Sequence, residues 1–139
     1  MAQTTPGPEP ARVSVPDEGA TPFLSPERLD VYRLAIEFQH TAASICSNRR
    51  IGANLRDQLD RASVSIVLCI AEGAGRGTPR DKAHFFTIAR GSATECGAIL
   101  DLLEARGLLS AAAHRDGRGQ LIRVIQMLTR LIARATFRR

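Results

Sequence analysis

Tryptophan is missing from this chain, tyrosine occurs once (Tyr32), and aromatic residues make up only 4% of its 139 positions. Binding of single-stranded nucleic acid by base stacking needs several aromatic platforms, so that mode is excluded as the main one. The same shortage, beside abundant Ala, Leu and Ile, favours helix-on-helix packing over a sandwich of sheets. Cysteine is scarce too. Cys46, Cys69 and Cys96 are odd in number, show no CxxC spacing and sit within apolar helical patterns, which predicts core thiols in a reducing compartment. No apolar run approaches the ~20 residues of a membrane span, and the start of the chain lacks the basic and apolar stretches of a secretion signal. A cytoplasmic location without membrane contact is the expectation. Lysine is almost absent: every base but Lys82 is arginine.

Hydrophobic residues, at 44%, suffice for a packed core, and the length suits one domain. The net charge of +5 is unevenly spread. Residues 1–24 carry Arg12 against Glu9, Asp17 and Glu18, while the remainder has 18 bases against 11 acids, a net +7. From position 115 onward Arg115, Arg118, Arg123, Arg130, Arg134, Arg138 and Arg139 face a single acid, Asp116. Such a basic end suits phosphate or an acidic partner, and equally a solubilising surface.

Residues 1–24 hold five of the seven prolines and little apolar material, the composition of a disordered tail. The rest, 25–139, reads as an all-α, antiparallel up-down-up-down four-helix bundle. Ser25-Pro26-Glu27 predicts the first helix start, with Leu29, Tyr32, Ile36, Ala43 and Cys46 on one stripe and Val31, Ala35, Phe38, Ala42 and Ile45 on the next. After a connection over 47–52, a second helix is predicted over about 53–72, with Leu55, Leu59, Ala62, Ile66 and Cys69 on one stripe and Ser63, Val67 and Ile70 beside it. Gly73, Gly75 and Gly77 break it. Thr78 as cap, Pro79 in the first position and Asp81 three residues on then start a third helix, which runs to about 106 with Gly107 ending it. Its predicted inward residues are Phe85, Ile88, Ala89, Ser92, Ile99, Leu102 and Leu103. Gly91, Ser92, Ala93, Gly97 and Ala98 put small residues in its middle, where each glycine costs ~1 kcal/mol. That cost predicts close approach to the second helix or to another subunit. A loop over 111–119 and a fourth helix over about 117–135 complete the pattern.

In a hairpin turning near Arg76, Arg61 comes level with Ser92 and within reach of Glu95. An Arg61 to Glu95 structural pair, supported by Ser65 and Ser92, is therefore expected to fix the register. Glu72, at a helix C-terminus, needs a cation, with Arg76, Arg80 or Lys82 across the corner as candidates. Gly73 to Gly77 lacks the strand and the Gly-Lys-Ser/Thr ending of a phosphate loop, yet amides opening the third helix beside Arg76, Arg80 and Lys82 suit a phosphate contact. His40, His84 and His114 share no ligand spacing, so neither a metal nor any other cofactor is expected.

Gln58-Leu59, Arg61-Ala62, Ser65-Ile66, Ile70-Ala71-Glu72-Gly73 and Arg76, followed by Phe85, Ile88-Ala89-Arg90-Gly91-Ser92 and Glu95, form a specific combination, because they fix unusual residues at set distances on two helices. This pattern resembles the four-helix-bundle family of 23S rRNA intervening-sequence proteins, which includes the accessory variability determinant of diversity-generating retroelements. The similarity extends from Leu29-Asp30-Val31-Tyr32 to about Ile132. It departs at Cys69, where the family typically has Asn, and at Cys96-Gly97, where Leu-Glu is usual. The resemblance implies a homopentamer with a basic surface and, in retroelement members, binding to nucleic acid and to a partner reverse transcriptase without known catalysis. Arg33 and His40 form an Arg-x6-His spacing that is similar to the motif of helical HEPN ribonucleases, although there the pair lies on a later helix.

The resulting expectation is a non-enzymatic, oligomeric nucleic-acid-binding accessory protein that contacts RNA or DNA through Arg76, Arg80, Lys82, Arg115, Arg118, Arg123, Arg130, Arg134, Arg138 and Arg139. The alternatives are a scaffold that docks an acidic protein and, behind it, a HEPN-like ribonuclease.

Overall fold

The computed structural model describes residues 2–4, 7 and 29–137. All of the proposed tail over 1–24 except residues 2–4 and 7, the Ser25 start signal and the last two arginines, Arg138 and Arg139, lie outside the described residues. Four helices follow one another: α1 (Asp30–Cys46), α2 (Ala53–Gly75), α3 (Pro79–Ala105) and α4 (Ala111–Phe137). Each packs its backbone on two others, α1 and α3 each on both α2 and α4, and all four contribute side chains to one core. That is the predicted four-helix bundle with short connections.

The first helix opens later than its Ser-Pro-Glu signal suggests. Leu29 is extended (φ −93°, ψ 125°) and precedes Asp30, whose carboxylate lies in the first turn, where the helix dipole favours an anion. Of its two apolar stripes, Val31, Ala35, Phe38 and Ala42 are buried, whereas Ile36 is 45% exposed. Ile51, in the connection to α2, is buried and seals that end of the core.

The second helix continues past Glu72 to Gly75. Gly73 lies buried inside its last turn because Phe86 needs the space: a Cβ there would stand 2.7 Å from the ring. Thr78 caps α3 as predicted, its Oγ1 accepting from the Asp81 amide at 3.2 Å with Pro79 at the helix start. At the other end Gly107 takes φ +69°. There the amides of Gly107 and Leu108 donate to the carbonyls of Glu104 and Leu103, both at 2.9 Å, a paired closure that favours glycine at this position.

Two expectations for the second half are corrected. The inward line of α3 is Phe86, Ala89, Ala93, Cys96, Ile99, Leu100 and Leu103. Ile88 and Leu102 are 40% and 46% exposed, and Phe85 and Ser92 are half-buried at the edge of the α2–α3 seam. Of the small residues in its middle only Ala93 is buried; Ser92 and Gly97 are half-buried, and Gly91 and Ala98 are exposed. A Cβ at Gly91 would meet nothing within 4 Å, so its lack of a side chain serves no close approach among the described residues. Nor is 111–119 a loop. Ser110 accepts from the Ala113 amide at 3.1 Å and starts α4 six residues ahead of the expected position. Gly117, buried, lets α4 close on Leu100, whose Cδ1 would lie 2.8 Å from an added Cβ.

Among the described residues, no helix is long and apolar enough to cross a membrane. Of the three free cysteines, Cys96 is buried, with its thiol pushed up to about 12 chiefly by desolvation. Cys46 is half-buried and raised for the same leading reason, and Cys69 is half-buried.

Candidate nucleic-acid interface

The antiparallel order gathers the start of α1, the end of α2, the start of α3 and the end of α4 at one end of the bundle. Five of the ten predicted phosphate contacts therefore share that end: Arg76, Arg80, Lys82, Arg130 and Arg134. They are not equivalent. Arg76 donates to Glu72 at 3.0 Å, and its guanidinium lies 4.6 Å over the ring of Phe85. This is the cation that the Glu72 position calls for, supplied by the extended residue that follows the same helix.

Lys82 turns inward and donates to the carbonyls of Ala74 at 2.9 Å and Gly73 at 3.4 Å. An ammonium on the last carbonyls of α2 offsets the negative end of the helix dipole. Its charge is thereby committed to the corner.

Arg80, Arg130 and Arg134 remain exposed, and among the described residues none is paired with a carboxylate. Arg80 borders a shallow depression against Ala135 and Thr136, which brings the start of α3 beside the end of α4. Arg130 and Arg134, one helical turn apart, flank a groove that α4 forms with Leu29 and Val31. Arg130 reaches only its own helix, donating to the Gln126 carbonyl at 3.4 Å. Asp30 and Asp81 share this end, so its field comes from a few guanidiniums rather than a continuous basic sheet.

The other predicted contacts are elsewhere. Arg123 is exposed midway along α4, and Arg115, toward the far end, lies 3.9 Å from Asp116. Arg118 is held by Asp101 at 2.9 and 3.1 Å. Asp101 also meets His114 Nε2 at 2.7 Å, while His114 Nδ1 faces Glu104. The hydrogen bond with His114, and then that with Arg118, hold the Asp101 carboxyl below its usual range. This cluster ties α3 to α4 and escaped the sequence reading. His114 and Arg118, four apart, share a face only once 111–119 is helical.

Arg61 and Glu95 are both exposed, and no ion pair joins them. The expected support exists without the pair: the Ser65 and Ser92 hydroxyls meet at 3.0 Å. With those two residues level, Arg61 comes opposite Cys96 in the core line, and Glu95 is turned outward. Arg33 and His40 are exposed on α1. Among the described residues, no group of three His, Cys, Asp or Glu side chains is arranged to hold a metal ion.

The family model for the 23S rRNA-intervening sequence protein matches residues 27–130, and the chain belongs to that family. No curated protein matches the chain. The matched stretch includes Arg80 and Arg130 but stops short of Arg134.

Proposed function

We propose that this protein is a non-enzymatic, oligomeric nucleic-acid-binding accessory protein that holds RNA or DNA at the end of the bundle carrying Arg80, Arg130 and Arg134. The observation that supports it is the selective engagement of the cations: Arg76, Lys82 and Arg118 serve the fold, while these three guanidiniums have no acidic partner among the described residues. Arginine in that state suits phosphate through forked donors. Phe137, 85% exposed at the same end, is one aromatic where stacking sites use several, so phosphate contacts dominate. The family's name associates it with an RNA insertion, and a reverse transcriptase is the proposed protein partner by the sequence pattern's resemblance to retroelement accessory proteins.

Fluorescence anisotropy with a labelled RNA and a DNA duplex tests this reading. Log affinity should fall against log salt with a slope of about −2 to −3 for three phosphate contacts. The double variant Arg130→Ala/Arg134→Ala should reduce the steepness by about 1.5 to 2 and weaken different sequences alike. Absence of binding to either probe at low salt overturns the proposal, and a stoichiometric acidic protein co-purifying in its place supports the scaffold reading. RNA cleaved during the measurement, and spared by His40→Ala, would restore the ribonuclease reading.

A further inference from the structure

Where the chain enters α1, Leu29 and Val31 face Met127 and Leu131 of α4 across a groove of about 290 Å³, with Arg130 and Arg134 along it. This lies at the small end of the ~300–1,000 Å³ range of ligand clefts and would accept one or two apolar side chains rather than a cofactor. The preceding segment has matching chemistry. Phe23 and Leu24 are adjacent apolar residues, with Asp17 and Glu18 before them and Glu27 after, against Arg28 alone in that stretch.

Reach is no obstacle. Phe23 is six residues from Leu29, which itself lines the groove, and six residues span up to ~20 Å. Met127 to Arg134 occupies ~10 Å of helix. The three acids outnumber Asp30, the acid already beside the groove, and would meet guanidiniums that have no carboxylate partner among the described residues.

We propose that residues 17–27 lie along this groove in the same chain, with Phe23 and Leu24 against Met127 and Leu131 and the acids beside Arg130 and Arg134. Docked there, the segment covers two of the three guanidiniums assigned to nucleic acid and acts as an internal competitor for phosphate. The competition rests on the nucleic-acid reading, whereas the docking does not.

Two measurements on the full chain separate these claims. Benzoylphenylalanine placed at position 23 (Phe23→benzoylphenylalanine) is photolysed in a mixture of isotopically light and heavy chains, and the products are mapped by mass spectrometry. Crosslinks to residues 127–134 within one chain support docking. Crosslinks only to other helices, only between chains, or none at all overturn it. The second variant, Phe23→Ser/Leu24→Ser, weakens docking without altering charge. It should bind a labelled oligouridine about tenfold more tightly if the groove is occupied nine-tenths of the time. Equal affinities beside within-chain crosslinks overturn the competition. If neither protein binds the RNA at low salt, the proposed function fails, and the crosslinks still decide the docking.

Discussion

Asp101 illustrates how a single side chain can be committed to structure on a basic protein. It binds His114 and Arg118 together, and both contacts favour its ionised form. A carboxylate whose folded value is depressed adds stability that is complete above its unfolded value, about 3.9, and is lost as pH falls through the lower folded value. Wild type should therefore melt above Asp101→Asn near neutrality, and the gap should close on acidification below about pH 4. Thermal melts across pH check this; parallel curves would remove the contribution. The side chain is exposed, so the gap is expected to be small. None of this was legible in the sequence, because Asp101 and His114 meet only after α3 and α4 are set in register.

At the level of helices, the glycines give opposite predictions from one substitution. Gly73→Ala would press a methyl into Phe86, whose ring is buried and cannot retreat cheaply, and overpacking of this kind costs about 1–3 kcal/mol. The helical preference of alanine offsets about 1 kcal/mol of that. Gly91→Ala meets open space among the described residues and should stabilise α3 by about 0.5–1 kcal/mol. Chemical denaturation of the two variants should thus move in opposite directions, and a stabilising Gly73→Ala would contradict the packing described for the α2–α3 corner. The same pair shows what the sequence revealed. Four helices, the Thr78 cap and the Gly107 closure were legible because caps and periodicity are local signals. The inward line of α3 was not, since Ala89, Ala93 and Cys96 carry weak hydrophobic signals, while the conspicuous Ile88 and Leu102 face outward. The early start of α4 was hidden by Gly117 and Gly119, which look like loop residues until Leu100 is seen to need the space left by the first.

Across the whole molecule, the outer side of the α2–α3 hairpin is a surface on which copies could join. The Ser65–Ser92 bond places Leu68, 58% exposed, and Ile88 on one side of the seam, with Arg61 and Glu95 near its edge. Pentamerisation, as the family likeness implies, predicts a light-scattering mass about five times the 15.1 kDa chain. Leu68→Glu should reduce that mass toward a single chain while leaving helical content unchanged, because an exposed substitution alters stability by only about 0.5 kcal/mol. A single-chain mass for the wild type would dismiss the assembly and leave the end-face arginines to be judged by binding alone. That end face could be read from the sequence only in part: a list of arginines was visible, but which were already occupied was not. Lys82 has one more use, as a reporter. It is the sole lysine in the chain, and its amine is held against two carbonyls. Its rate of acylation by a water-soluble ester, followed at this residue by peptide mass spectrometry so that the terminal amine is counted apart, would therefore clock how often the α2–α3 corner springs open and report any bound polymer that clamps it shut.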